Sequence, residues 1–138
     1  MSINDIMTRN IVTMRRNDPV VDAARIMRDG DIGAVVVEND DGSLYGILTD
    51  RDIVVRCIAE DKSPLHTPVG DICSKAPVTI SPDDSVDEAV RRMEENAVRR
   101  IPVVEGNRPV GIVSLGDLAI ERDPDSALGQ VSSAPPTR

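Results

Sequence analysis

The chain carries one stretch of sequence twice. Asp5-Ile6 recurs as Asp71-Ile72, Val12-Thr13 as Val78-Thr79, Asp18 as Asp84, Val20 as Val86, Ala23 as Ala89, Met27 as Met93 and Val37 as Val103, all at an offset of 66 positions. From Gly46 and Gly111 onward the offset is 65, because the second turn is one residue shorter. A period this long, present twice, describes a duplicated subdomain and excludes a solenoid of short repeats. A unit of about 60 residues hides only about 60% of its unfolded surface and is marginal alone. Two such units are therefore expected to bury a shared face.

Each copy divides into the same elements. Val20, Ala23, Ala24 and Met27 stand at i, i+3, i+4 and i+7, the apolar stripe of an amphipathic helix, and Val86, Ala89, Val90 and Met93 repeat it. Asp18-Pro19 reads as an N-cap followed by proline at the first helical position, and Ser85-Val86-Asp87-Glu88 reads as a capping box. Ala34 to Val37 is a β-branched run that predicts a buried strand. The turn Asn39-Asp40-Asp41-Gly42-Ser43 then leads into Leu44 to Leu48. The second copy offers Ile101 to Val104, the turn Glu105-Gly106-Asn107-Arg108, and Val110 to Val113. A second helix is expected after each hairpin, from about Asp50 to Ala59 and from about Leu115 to Glu121. The predicted boundaries are 1–61 for the first repeat, 62–70 for a Pro-containing linker, 71–122 for the second repeat, and 123–138 for an irregular or mobile tail.

Both copies end in one polar signature. Gly46-Ile47-Leu48-Thr49-Asp50-Arg51-Asp52 is matched by Gly111-Ile112-Val113-Ser114-Leu115-Gly116-Asp117: a glycine, two apolar residues, a hydroxyl residue, and an aspartate three positions on. Hydroxyl-x-x-carboxylate ahead of an apolar run is a capping box that needs no ligand. A helix N-terminus also presents free N–H groups and a positive dipole end to an anion. Both readings remain open at this point, and they are compatible.

Composition removes several function classes. The net charge of −8 repels phosphate backbones and anionic lipid, so neither nucleic acid nor a membrane is an expected partner. No apolar run reaches the roughly 20 residues needed to span a bilayer, and two cysteines do not make a disulfide scaffold; a cytoplasmic location is expected. His66 is the sole histidine and sits in the linker, Cys57 falls in an apolar helix pattern, and no metal-ligand spacing is recognisable. No catalytic residue and no metal site is expected. Phe and Trp are absent and Tyr45 is the single aromatic, so a flat ligand would lie between aliphatic side chains.

The duplicated hairpin with its Gly-x-x-[Thr/Ser]-x-x-Asp closure resembles a tandem pair of CBS domains, the Bateman module. Ile6-Met7-Thr8 with Val12-Thr13, and Arg99-Arg100-Ile101-Pro102-Val103, are also similar to that family. The resemblance covers roughly residues 3 to 121 and extends to the small standalone two-domain proteins of the hypoxic response type. It implies an α+β fold of two pseudo-symmetric repeats, each a short leading strand, helix, β-hairpin and helix, packed sheet to sheet. It further implies a non-catalytic sensor that binds AMP, ADP, ATP or another adenosyl ligand in clefts between the repeats. No cofactor is obligatory, a homodimer is expected, and the protein partner is unknown. Carried over by position, Asp52 and Asp117 would accept hydrogen bonds from the ribose hydroxyls, and Thr49 and Ser114 would bind ribose or phosphate. The backbone around Thr13, Val36, Thr79 and Pro102 would border adenine.

The copies differ in charge. Arg99-Arg100 replaces Gly33-Ala34 just before a buried strand, where a guanidinium pair suits bidentate phosphate contact or, equally simply, pairing with Glu94 or Glu95. Arg51, where the second copy has Gly116, either neutralises phosphate or pairs with Asp50 and Asp52. The Ser114–Asp117 site is the favoured one for a phosphorylated ligand. A protein-interaction module with no physiological nucleotide is the competing function.

Overall fold

The apolar stripes and hairpins fold as two units in a computed structural model that describes residues 1–75, 78–123 and 125–134. One unit is Ile11–Ala76; the other joins Met1–Asn10 to Pro77–Arg138. The fold is α+β.

In the first unit, β1 (Thr13–Arg15), β2 (Ala34–Glu38), β3 (Leu44–Thr49) and β4 (Ser74–Lys75) form a sheet in that order. β1 runs parallel to β2, while β2/β3 and β3/β4 are antiparallel. Helix α1 (Val20–Gly30) buries Val20, Ala23 and Met27. Ala24 stays exposed, which narrows the predicted stripe. Its core companions include Val35, Val37, Leu48, Cys57, Val69 and Ile72. Asp18 does not cap α1: its carboxylate accepts the Arg15 N–H at 2.9 Å and closes the turn before the helix. The first α1 amides go instead to linker carbonyls, Val20 to Thr67 and Val21 to Pro64, both at 2.9 Å. The linker thus satisfies donors that a helix start leaves without internal partners.

Beyond β3 the chain forms one α-helical turn, α2 (Asp50–Asp52), and continues as a π-helix over Ile53–Ile58. The wide-turn bonds run from Ala59 N–H to Val54 O and from Lys62 N–H to Cys57 O. Four of the six π-helical residues are β-branched, which crowds a regular α-turn. The short α3 (Val69–Ile72) completes the unit.

The second unit repeats this plan with α4 (Val86–Asn96), β5 (Arg100–Glu105), β6 (Arg108–Ser114) and α5 (Leu115–Arg122). Ser85 caps α4 by accepting the Glu88 N–H at 3.1 Å. The Glu88 carboxylate does not complete a box; it turns to Arg91 and Arg92. Hydrogen bonds from these two guanidinium groups lower its pKa to about 2. β5 and β6 are antiparallel, with Glu105 opposite Arg108 across a two-residue turn in which Gly106 takes φ +61°. Isolated bridges take the places of β1 and β4: Ile80 lies parallel to Val103, and Thr8 antiparallel to Ile112.

The leading segments are exchanged between the copies. Ile3 and Met7 enter the core of Val86, Ala89, Met93, Ile101 and Val113. Val69, Ile72 and Cys73 enter that of the first unit. The backbone bonds correspond one to one. Ile3 N–H donates to Asp84 O and Asn4 N–H to Pro82 O, as Val69 N–H donates to Asp18 O and Gly70 N–H to Arg16 O.

The tail departs from expectation. Residues 127–133, expected to be irregular, form helix α6 (Ala127–Ser133), capped by Ser126 Oγ accepting the Gly129 N–H at 2.9 Å. Gly129 is buried and α6 packs on α5. The Gly and Ser content that resembles a mobile tail supplies the small residues a close helix contact requires. Where the tail expectation concerns residues 124 and 135–138, it lies outside the described residues.

Candidate functional site

The polar signature falls at a strand–helix junction in each unit. At the first, Thr49 Oγ1 accepts the Asp52 N–H at 3.2 Å, and Asp52 Oδ2 accepts the Thr49 N–H at 2.9 Å. At the second, Ser114 Oγ accepts the Asp117 N–H at 3.1 Å, and Asp117 Oδ2 accepts the Ser114 N–H at 2.9 Å. Both are complete capping boxes, and each spends one carboxylate oxygen on its own helix.

The signature glycine serves packing. A Cβ on Gly46 would stand 2.3 Å from Ser74 O, and one on Gly111 would stand 2.8 Å from Thr8 O and from Met7 Sδ. These are the points at which the exchanged leading segment crosses the hairpin. Glycine is required there because backbone passes over backbone.

The two boxes differ in what remains. Asp52 is buried, at 9% exposure, and its Oδ1 lies 3.8 Å from Arg56 Nε. Arg56 also donates to Ile72 O at 3.3 Å, so it ties the carboxylate to α3. Both Asp52 oxygens are therefore engaged. In the second copy Glu121 occupies the position of Arg56, and Asp117 is half-buried with no ion pair among the described residues. Arg56 is a residue that sequence reasoning overlooked, although its i+4 spacing from Asp52 is the spacing of a helical ion pair.

Arg100 lies opposite Ser114 on the β5–β6 ladder, and Arg99 O accepts the Leu115 N–H at 2.8 Å. The sequence-predicted Arg99, Arg100, Ser114 and Asp117 are thus brought to one junction. Both arginines are exposed, and among the described residues neither guanidinium forms an ion pair, with Glu94, Glu95 or any other acid. Glu95 is taken by Arg91 at 2.8 Å. Arg51 is likewise exposed, and its side chain pairs with neither Asp50 nor Asp52; only its N–H contacts Asp50, at 2.8 Å.

The remaining predicted residues meet within their own units. Thr13 pairs in register with Val36, whose N–H donates to Val12 O at 2.9 Å. Thr79 adjoins Pro102 through Ile80, whose N–H donates to Pro102 O at 3.1 Å. The Thr79 carbonyl accepts a hydrogen bond from Arg92. A cavity of about 360 Å³ beside it is lined by Val78, Thr79, Arg91, Arg92, Glu95 and Asn96. Its guanidinium groups are already held by Glu88 and Glu95, which leaves little positive charge for an anion there.

Cys57 and Cys73 are free and buried. Burial, helped by the nearby Asp52 carboxylate, pushes the Cys73 thiol above its ordinary pKa and suppresses the reactive thiolate. Among the described residues no cluster of three His, Cys, Asp or Glu side chains could hold a metal ion. No described helix is long and apolar enough to cross a membrane.

Two α+β units of one plan, each closed by a strand–helix capping box, define a tandem-repeat module. The chain belongs to the CBS domain family, whose model matches residues 3–58 and 69–122. CBS-domain proteins are generally non-catalytic regulatory modules. The chain is 37% identical over 128 residues to the CBS domain-containing protein YhcV of Bacillus subtilis, covering 93% of this chain and 90% of that one. It is 35% identical over 130 residues to Hypoxic response protein 1 of Mycobacterium tuberculosis, covering 94% and 90%. A crystal structure of Hypoxic Response Protein I, which has two coordinated zinc ions, matches with a TM-score of 0.78 at 35% identity, over 86% of this chain and 97% of that one. The CBS domain pair of protein MJ0100, solved in complex with 5′-methylthioadenosine and S-adenosyl-L-methionine, matches with a TM-score of 0.76 at 27% identity, over 86% and 93%.

Proposed function

We propose that this CBS pair is a non-catalytic cytoplasmic sensor of an adenosyl ligand, an adenine nucleotide such as AMP, ADP or ATP. The second-copy junction is the stronger site. One observation carries this choice: the Asp117 box sits beside two exposed arginines without ion pairs, whereas Asp52 is buried and engaged by Arg56. A carboxylate with a remaining oxygen accepts from a ribose diol, and a guanidinium of Arg99 or Arg100 that reaches the α5 N-terminus would suit a phosphate. The adenosyl ligands of the MJ0100 pair support the same ligand class. Thr79 and Pro102 would border the base in this copy, as Thr13 and Val36 would in the other.

A ligand that binds only the folded chain stabilises it by RT ln(1 + [L]/Kd), about 2.7 kcal/mol at a hundredfold excess over Kd. Thermal melts with millimolar AMP, ADP, ATP, NAD and S-adenosylmethionine test the reading. A shift with at least one supports it, and no shift with any removes it. The competing reading is an interaction module without a nucleotide. It is favoured by the exposed Val54, Val55 and Ile58 on the π-helical segment, a surface that also suits the expected homodimer.

A further inference from the structure

Helix α6 stands at the very turn that the proposed site uses. A Cβ placed on Gly116 would lie 2.9 Å from Ser132 Oγ, 3.1 Å from Ser132 Cβ and 3.6 Å from Ser114 Oγ. The tail hydroxyl and the box hydroxyl therefore flank one small space over the first turn of α5. The first copy carries Arg51 where α5 has Gly116.

The docking is built to be weak. α6 turns Gly129 and Ser132 toward α5, while Leu128 and Val131 are 46% and 73% exposed. A helix that buries its glycine and serine and exposes its leucine and valine gains little from apolar burial. Seven residues are also too few for a stable isolated helix, so α6 released from α5 loses its structure. Such segments open at low free-energy cost.

We infer that α6 is an autoinhibitory strap on the Ser114–Asp117 box, and that its docking and ligand binding exclude one another. The inference rests on the reading that this box takes an adenosyl ligand. A ligand hydroxyl that reached Asp117 and Ser114 over the first turn of α5 would meet Ser132 in the docked state. Binding then requires release of the strap, and the affinity measured for the whole chain is the intrinsic affinity reduced by the fraction open.

Two measurements on the full chain test this. In hydrogen–deuterium exchange of the wild type, saturating AMP or S-adenosylmethionine should speed exchange of the 127–133 amides severalfold. Ser132→Trp, too large for the space beside Gly116, should tighten the Kd for the same ligand about five- to tenfold if the strap is closed about 80–90% of the time. Unchanged or greater protection of 127–133 at saturation overturns the strap, and so does a Kd that stays the same or weakens in Ser132→Trp. If ligand binds in those cases, the site reading stands without the strap. If no ligand binds either chain, both fall together. The exchange experiment needs no variant, so it decides even if Ser132→Trp folds poorly.

Discussion

Replacing Gly46 by alanine adds a single methyl group at the point where β4 crosses β3. In a strand interior this change ordinarily helps, by about 0.5–1 kcal/mol, because glycine has more freedom to lose on folding. Here the new Cβ would stand 2.3 Å from Ser74 O, 3.0 Å from Ser74 C and 3.2 Å from Cys73 Sγ, whereas ordinary contact begins near 3.4 Å. Backbone would have to retreat by about 1 Å, and β4 is only Ser74–Lys75, paired at Gly46↔Lys75 and Ile47↔Ser74. That retreat costs an overpacking penalty of about 1–3 kcal/mol. Weakening of the short ladder adds about 1 kcal/mol for each bond lost. After the glycine offset, Gly46→Ala should destabilise by about 2–4 kcal/mol. At roughly 4 °C per kcal/mol for a chain of this size, the midpoint falls by about 8–16 °C. Gly111→Ala should cost less, about 1–2 kcal/mol, because one of its 2.8 Å neighbours is the flexible end of Met7. Urea unfolding followed by far-ultraviolet circular dichroism gives both values. Gly46→Ala as stable as the wild type, or more stable, would refute the crossing as the reason for the signature glycine.

Three further outcomes follow from the same geometry. Asp117→Ala should weaken adenosyl-ligand affinity by about 1.5–3 kcal/mol in calorimetry, while Asp52→Ala leaves the tighter site unchanged; equal losses would contradict the inequality of the two boxes. Ile3→Ala should cost about 2–5 kcal/mol in denaturant unfolding because Ile3 is fully buried; a cost below about 1 kcal/mol would mean that the leading segment is not part of the core. Glu88 has a folded-state pKa of about 2 against an ordinary 4.5, so its stabilising effect is fully present above about pH 4.5 and disappears as pH falls through 2. Melting wild type and Glu88→Gln from pH 7 to pH 2 should therefore show a gap that closes on acidification, and a gap that widens would be inconsistent.

Much of the fold is legible because it is local. Val20, Ala23 and Met27 announce a helix by their spacing, and the turns at Gly42 and Gly106 set the hairpins. Thr49 and Ser114 mark the helix starts that their side chains cap. The exchange of leading segments is not legible, because Asp5-Ile6 and Asp71-Ile72 carry the same chemistry and either would suit either core. The widening after Asp52 escapes a periodicity argument, since Ile53 to Ile58 is apolar enough for any helix. The tail helix escapes because its contacts are made by glycine and serine, whose composition reads as loop. At the candidate site, the residue types and their positions were readable. The pairing of Asp52 with Arg56 and the approach of Ser132 to Gly116 depend on side-chain directions that spacing alone does not give.

The exchanged leading segments set a schedule for synthesis. The Ile11–Ala76 unit has its strands and its helical segments once β4 has emerged. Residues 1–10 emerge well before their partners: Ile3 waits for Asp84, and Thr8 waits for Ile112. At about 5–20 residues per second, this segment spends roughly 5–20 s with Ile3 and Met7 in water before its seat exists. The leading segment is thus made long before it is locked in place, and chaperone contact with the nascent chain should concentrate on that waiting segment.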